Sequence, residues 1–123
     1  MSRTLWNTAF AALAACAIAS TADAAPRLMG ATPTPGGVVK SSPTSIRINF
    51  NEPIEATSSG VAIANDSGVA LTTGKTSTNG NNIRQMIVPI TGKLEPGMYT
   101  VVWHAVGRDA VRVNGTFSFE FKP

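Results

Sequence analysis

The chain has 123 residues, with ten Lys or Arg against seven Asp or Glu for a formal net charge of +3, and the cations are scattered rather than gathered into a run. That pattern argues against a nucleic-acid partner, because phosphate backbones are met by clustered cations. Cys16 is the single cysteine and His104 the single histidine, so neither a disulfide framework nor a zinc-ligand spacing can be written.

The first element reads as a secretory leader over residues 1–24. Arg3 supplies a positive start, residues 5–19 are apolar and Ala-rich, and Ala22-Asp23-Ala24 has the small-x-small form of a signal-peptidase site. Cleavage after Ala24 leaves a domain over residues 25–123 that faces a periplasm or the cell exterior. The apolar stretch falls short of the roughly 20 residues a spanning helix needs. Leu13-Ala14-Ala15-Cys16 also resembles a lipoprotein cleavage box, with Cys16 as the lipidated residue. The stretch runs on past the cysteine, however, and the positive region before it is very short, which favours the cleaved leader. Without a cysteine the exported part has to rely on one apolar core, and about 100 residues suffice for a single domain.

Short alternating segments follow, punctuated by turn residues. Residues 28–31 make a first short strand. Ser45-Ile46-Arg47-Ile48-Asn49-Phe50 is apolar at every second position, as a half-buried strand requires. Residues 60–71 hold two strands around Asn65-Asp66-Ser67-Gly68, a hairpin turn of residues that tolerate positive φ. Residues 75–82 (KTSTNGNN) are small and polar and read as a long flexible loop. A strand over 83–90 precedes Leu94-Glu95-Pro96-Gly97, where Pro and Gly suit a type II turn. Strands over 99–103 and 116–121 close the chain, the last with Phe117, Phe119 and Phe121 on one face.

About seven short antiparallel strands in a domain of this size predict an all-β, immunoglobulin-like sandwich. Its inner faces should meet through Ile46, Ile48, Phe50, Val61, Ile63, Tyr99, Val101, Trp103, Phe117 and Phe119. The sequons at Asn65 and Asn114 fall on turn-forming residues and are read as turns. His104 follows Trp103, so alternation turns it outward as a surface residue. One histidine, no cysteine after the leader and no serine-centred motif leave no catalytic nucleophile–base pair, so an enzyme is not expected.

Four segments carry a resemblance in the right order along the chain. Phe50-Asn51-Glu52-Pro53-Ile54-Glu55 resembles the F-x-E-P-[LIV]-E segment of CopC-type copper-resistance proteins. Leu94 to Trp103 (LEPGMYTVVW) is similar to their L-x-P-G-x-Y-T-V-x-W, Asn114 to Phe119 to their S-G-x-[YF]-x-F end, and Leu28 to Pro33 to their L-x-x-[SA]-x-P start. The resemblance implies an exported, monomeric β-sandwich that holds copper for resistance, or for delivery to an inner-membrane copper transporter or another envelope protein.

It also implies a Cu(II) site built from an N-terminal histidine and the Asp and His of a D-G-H motif. Here that motif reads Asp109-Ala110-Val111 and the mature terminus Ala25-Pro26-Arg27, so both imidazoles are missing. Cu(II) prefers tetragonal nitrogen and oxygen ligands. The remaining donors are the Ala25 amine, Asp109 and Glu52, a set that predicts weak copper binding. Pro26 has no N–H to deprotonate, which closes the peptide-amide route to a further nitrogen. Met29, Met86 and Met98 form no cluster for Cu(I) and are read as packing residues. A non-metal interaction module on the same sandwich is the alternative, and Asp109 has its own plain role in a turn.

Overall fold

The computed structural model describes residues 25–123, so the leader, its cleavage site and Cys16 lie outside the described residues. Among the described residues nine strands form two sheets: β1 (Leu28–Thr32), β2 (Val38–Val39), β3 (Ser45–Phe50), β4 (Gly60–Asn65), β5 (Ala70–Leu71), β6 (Ser77–Asn79), β7 (Asn82–Pro89), β8 (Gly97–Val106) and β9 (Arg112–Phe121). The four-stranded sheet has the order β1-β3-β7-β6 and the five-stranded sheet β2-β9-β8-β4-β5. The sandwich is thus as expected, with two corrections. There are nine strands rather than seven, and β2 runs parallel to β9, pairing Val38 with Glu120 and Val39 with Phe121.

Alternation places the core. Ile46, Ile48, Phe50, Ile63, Tyr99, Val101, Trp103, Phe117 and Phe119 are buried between the sheets, joined by Ile54, Met86, Val88, Leu94, Ala105 and Phe121. Val61 packs against this core without being fully covered. Phe50 meets Trp103 edge-on at 5.4 Å and Tyr99 stacks on Phe119 at 5.5 Å, geometries that aromatic quadrupoles favour. The Trp103 indole lies so close over Gly115 that a Cβ there would sit 2.6 Å from Cε2. Asn114-Gly115-Thr116, expected as a turn, instead lies within strand β9, paired with His104, Trp103 and Val102.

The Asn65 hairpin is as read: the Asn65 side-chain oxygen accepts from the Ser67 and Val69 amides at 3.0 and 2.9 Å, and Gly68 takes φ 81°. Residues 75–82 differ from the expected loop and instead form a hairpin, β6 to β7, turning at Gly80-Asn81. Its outer face is held by amides: Asn79 Nδ2 donates to Gln85 Oε1 at 3.0 Å and Gln85 Nε2 to Asn49 Oδ1 at 2.9 Å. Gly97 has φ 144° and opens β8 from a bend instead of a hydrogen-bonded type II turn. Of the three methionines among the described residues only Met86 is buried in the core. Met29 and Met98 are exposed, Met29 because a bulge between Leu28 and Gly30 displaces it.

Candidate metal centre

Three segments converge at one end of the sandwich. After β3 the chain crosses from one sheet to the other, and it is tied to both: the Ile54 amide donates to the Ile83 carbonyl at 3.3 Å, and the Glu55 amide to the Val106 carbonyl at 2.8 Å. Buried Ser59 fixes the crossing. Its hydroxyl donates to the Glu55 carbonyl at 2.7 Å and accepts from the Val106 amide at 3.0 Å, so this buried polar group carries no unmet hydrogen bond.

The start of the described chain forms the second segment. The Arg27 amide donates to Asn51 Oδ1 at 2.6 Å, the Asn51 amide returns to the Arg27 carbonyl at 3.1 Å, and Pro26 is fully buried. The third is the β8–β9 turn. The Ala110 amide donates to the Gly107 carbonyl at 3.0 Å and the Gly107 amide to the Val111 carbonyl at 3.1 Å. Ala110 has φ 62°, a left-handed conformation that costs an L-residue about 1–2 kcal/mol and costs glycine nothing of the kind.

Gly107 is where the three meet. It bridges Ile54, and a Cβ added to it would collide with Glu52 Oε1 while lying 3.5 Å from Pro26 Cγ and Cδ. Glu52 and the segment bearing Ala25 are therefore brought to the same glycine. In the sequence Gly107 reads as a turn residue; its second role, leaving room for a carboxylate 55 positions upstream, comes from the fold. Asp109 follows two residues later, exposed in the turn. Neither Pro26 nor Ser59 stands out in the sequence as part of this end, because what they do depends on partners far along the chain.

His104 lies elsewhere. It stands on the outer face of the five-stranded sheet, in register with Gly60 and Asn114, and its ring covers Gly60, where a Cβ would approach Cε1 to 3.1 Å. Burial and the neighbouring Arg112 charge lower its pKa from the usual 6.5. Gly107, buried one residue past the end of β8, lies against Glu52, whereas the imidazole packs over Gly60 on the outer face. Among the described residues no group of three or more His, Cys, Asp or Glu is placed to hold a metal ion. The residues present do not fit a histidine-based Cu(II) centre.

Two facing sheets, with Glu52 beside the short turn after the long β8 strand, define a small all-β sandwich. The CopC domain matches residues 28–122, and the chain belongs to that family of copper-resistance proteins. Protein YobA of Escherichia coli K12 is 33% identical over 90 residues, covering 73% of each chain. The copper transport protein CutJ of Bacillus subtilis 168 is 29% identical over 92 residues, 75% of this chain but 17% of that longer protein. The crystal structure of CopC from Methylosinus trichosporium OB3b superposes with a TM-score of 0.74 at 21% identity, over 80% of this chain and 95% of that one. It shares the fold.

Proposed function

We propose that this protein is a periplasmic copper-homeostasis protein of the CopC class with a degenerate, weak copper site, exported by removal of residues 1–24 and working beside a membrane copper transporter or another envelope protein. One observation supports the reading: Glu52 and Pro26 are both neighbours of Gly107, and a mature terminus at Ala25 would begin one residue before that contact, with Asp109 two residues beyond Gly107 as a further donor. An amine and one or two carboxylates supply nitrogen and oxygen of the types Cu(II) accepts, but too few nitrogens for high affinity. The protein's own contribution is positional, holding the terminus by the buried Pro26 and the carboxylate by the strapped crossing segment. It is a carrier and not a catalyst.

Titration of the exported protein with Cu(II) against a competing chelator tests this. Binding in the micromolar range, weakened at least fivefold by Glu52→Gln and unchanged by His104→Gln, is expected. Binding no tighter than that of an unrelated peptide would overturn the copper role. It would leave the second reading, a sandwich that contacts an envelope partner without metal, which the missing imidazoles favour.

A further inference from the structure

At the opposite end of the molecule a groove of about 490 Å³ opens between the end of β1, the loop after β2 and the start of β3. The β1–β3 register fixes its place: Leu28 pairs with Phe50 at the Glu52 end, Thr32 with Arg47 at this one. Lys40 and Arg47 line the groove together with five hydroxyl side chains, among them Thr32, Ser41, Ser42 and Ser45, and no carboxylate lines it.

Arg47 is tied at one nitrogen, and the backbone that carries Lys40 is pinned. Arg47 Nη1 donates to Gln85 Oε1 at 3.3 Å, and Gln85 is itself fixed by Asn49 and Asn79, so the guanidinium is anchored on one edge, and its other N–H groups meet no acceptor among the described residues. The loop carrying Lys40 is pinned at both ends, the Val39 carbonyl accepting from the Lys122 amide and the Thr44 carbonyl from the Ile90 amide, each at 2.9 Å. Between the pins, the Ser41 and Ser42 amides donate to no acceptor among the described residues. Two cations, five hydroxyls and two open amides exceed what the two oxygens of a carboxylate can use. They match a phosphate group, with its charge of about −1.5 to −2 and three acceptor oxygens. The volume falls within the roughly 300–1,000 Å³ of small-ligand sites, larger than a bare anion requires.

We propose that this groove binds the phosphate group of a phosphorylated small molecule or lipid headgroup, through Lys40, Arg47 and the 41–45 hydroxyls and amides. Binding there leaves the Glu52 end of the sandwich free, because the two sites lie at opposite ends of the β1–β3 pair. The test is a 1H–15N NMR titration of the exported protein with inorganic phosphate and with glycerol 3-phosphate, against chloride at matched ionic strength. Saturable shifts centred on the Ser41, Ser42, Thr44 and Ser45 amides are expected. Lys40→Gln alone should weaken binding at least threefold, and Lys40→Gln with Arg47→Gln at least tenfold, both with spectra as dispersed as the parent's. Lys93→Gln should leave it unchanged. Shifts spread over all basic residues, or persisting in the double variant, would overturn the proposal. Cosedimentation with phosphatidylglycerol but not phosphatidylcholine vesicles, displaced by glycerol 3-phosphate, would assign the phosphate to a lipid. Glycerol 3-phosphate binding without cosedimentation would assign it to a soluble molecule.

Discussion

Replacing Gly115 by alanine places a methyl group inside the space of the Trp103 indole. The new Cβ would lie 2.6 Å from Cε2 and 2.9 Å from Nε1, and nearer still to Cζ2. The ring has little room to retreat, since Trp103 is only 7% exposed and packs edge-on against Phe50. Forcing an extra carbon into a filled core costs about 1–3 kcal/mol. Displacing the ring also forfeits an aromatic pair worth about 0.5–1.5 kcal/mol. Against this, the stiffer unfolded chain of an alanine variant returns about 0.4–1 kcal/mol. The net expectation is a loss of about 0.5–4 kcal/mol, centred a little above 2, and that central value in a domain of this size lowers the melting temperature by on the order of 10–20 °C. Urea unfolding followed by Trp103 fluorescence measures it, Trp103 being the one tryptophan after the leader. Thr116→Ala, the exposed neighbour, serves as control and should change stability by less than about 0.5 kcal/mol. A Gly115→Ala variant as stable as that control would refute the claim that the glycine exists to seat the indole.

Gly107→Ala should behave differently, because the atom it meets is the end of the flexible Glu52 side chain. Stability should fall by no more than about 1 kcal/mol, while Cu(II) affinity falls as far as in Glu52→Gln, read by the same chelator competition. Ala110→Gly relieves a left-handed alanine and should raise stability by up to about 1 kcal/mol in denaturant unfolding. Adding Val111→His to it restores a D-G-H turn and should tighten Cu(II) binding at least tenfold, with nitrogen hyperfine structure in the EPR spectrum. The lowered pKa of His104 sets a pH dependence. The unfolded chain binds the proton more readily, so this contribution to stability is complete above about 6.5 and is lost as pH falls from there through the lower native value. Melting temperatures across that window should lose this slope in His104→Gln.

Where a strand carries apolar residues at every second position, its place could be read directly: Ile46, Ile48 and Phe50, or Phe117, Phe119 and Phe121, have one arrangement that buries them all. The strands that escaped notice have no such signal. In β6 the pairing is stabilised by Asn79, Gln85 and Asn49 amides on a solvent face, and a search for apolar alternation sees only polar residues. In β2, two valines are too few to establish a period, and their parallel partner lies more than 80 residues away. The acidic end divides in the same way. Glu52 was legible through the Phe50-to-Glu55 segment, but its packing on Gly107 and beside Pro26 exists only once three distant segments are folded together. Imidazoles missing from positions 25 and 111 could be seen at once, since a ligand's identity is written in the residue itself.

The turn between β8 and β9 keeps its shape although alanine occupies the left-handed position. The ladder ends at Val106 and Arg112, and five residues must close the gap whatever their side chains prefer. Geometry here is imposed by the frame, and chemistry is supplied by whichever side chains occupy it. Side chains at positions 108–111 can therefore be exchanged like bits in a drill chuck, without the holder being rebuilt.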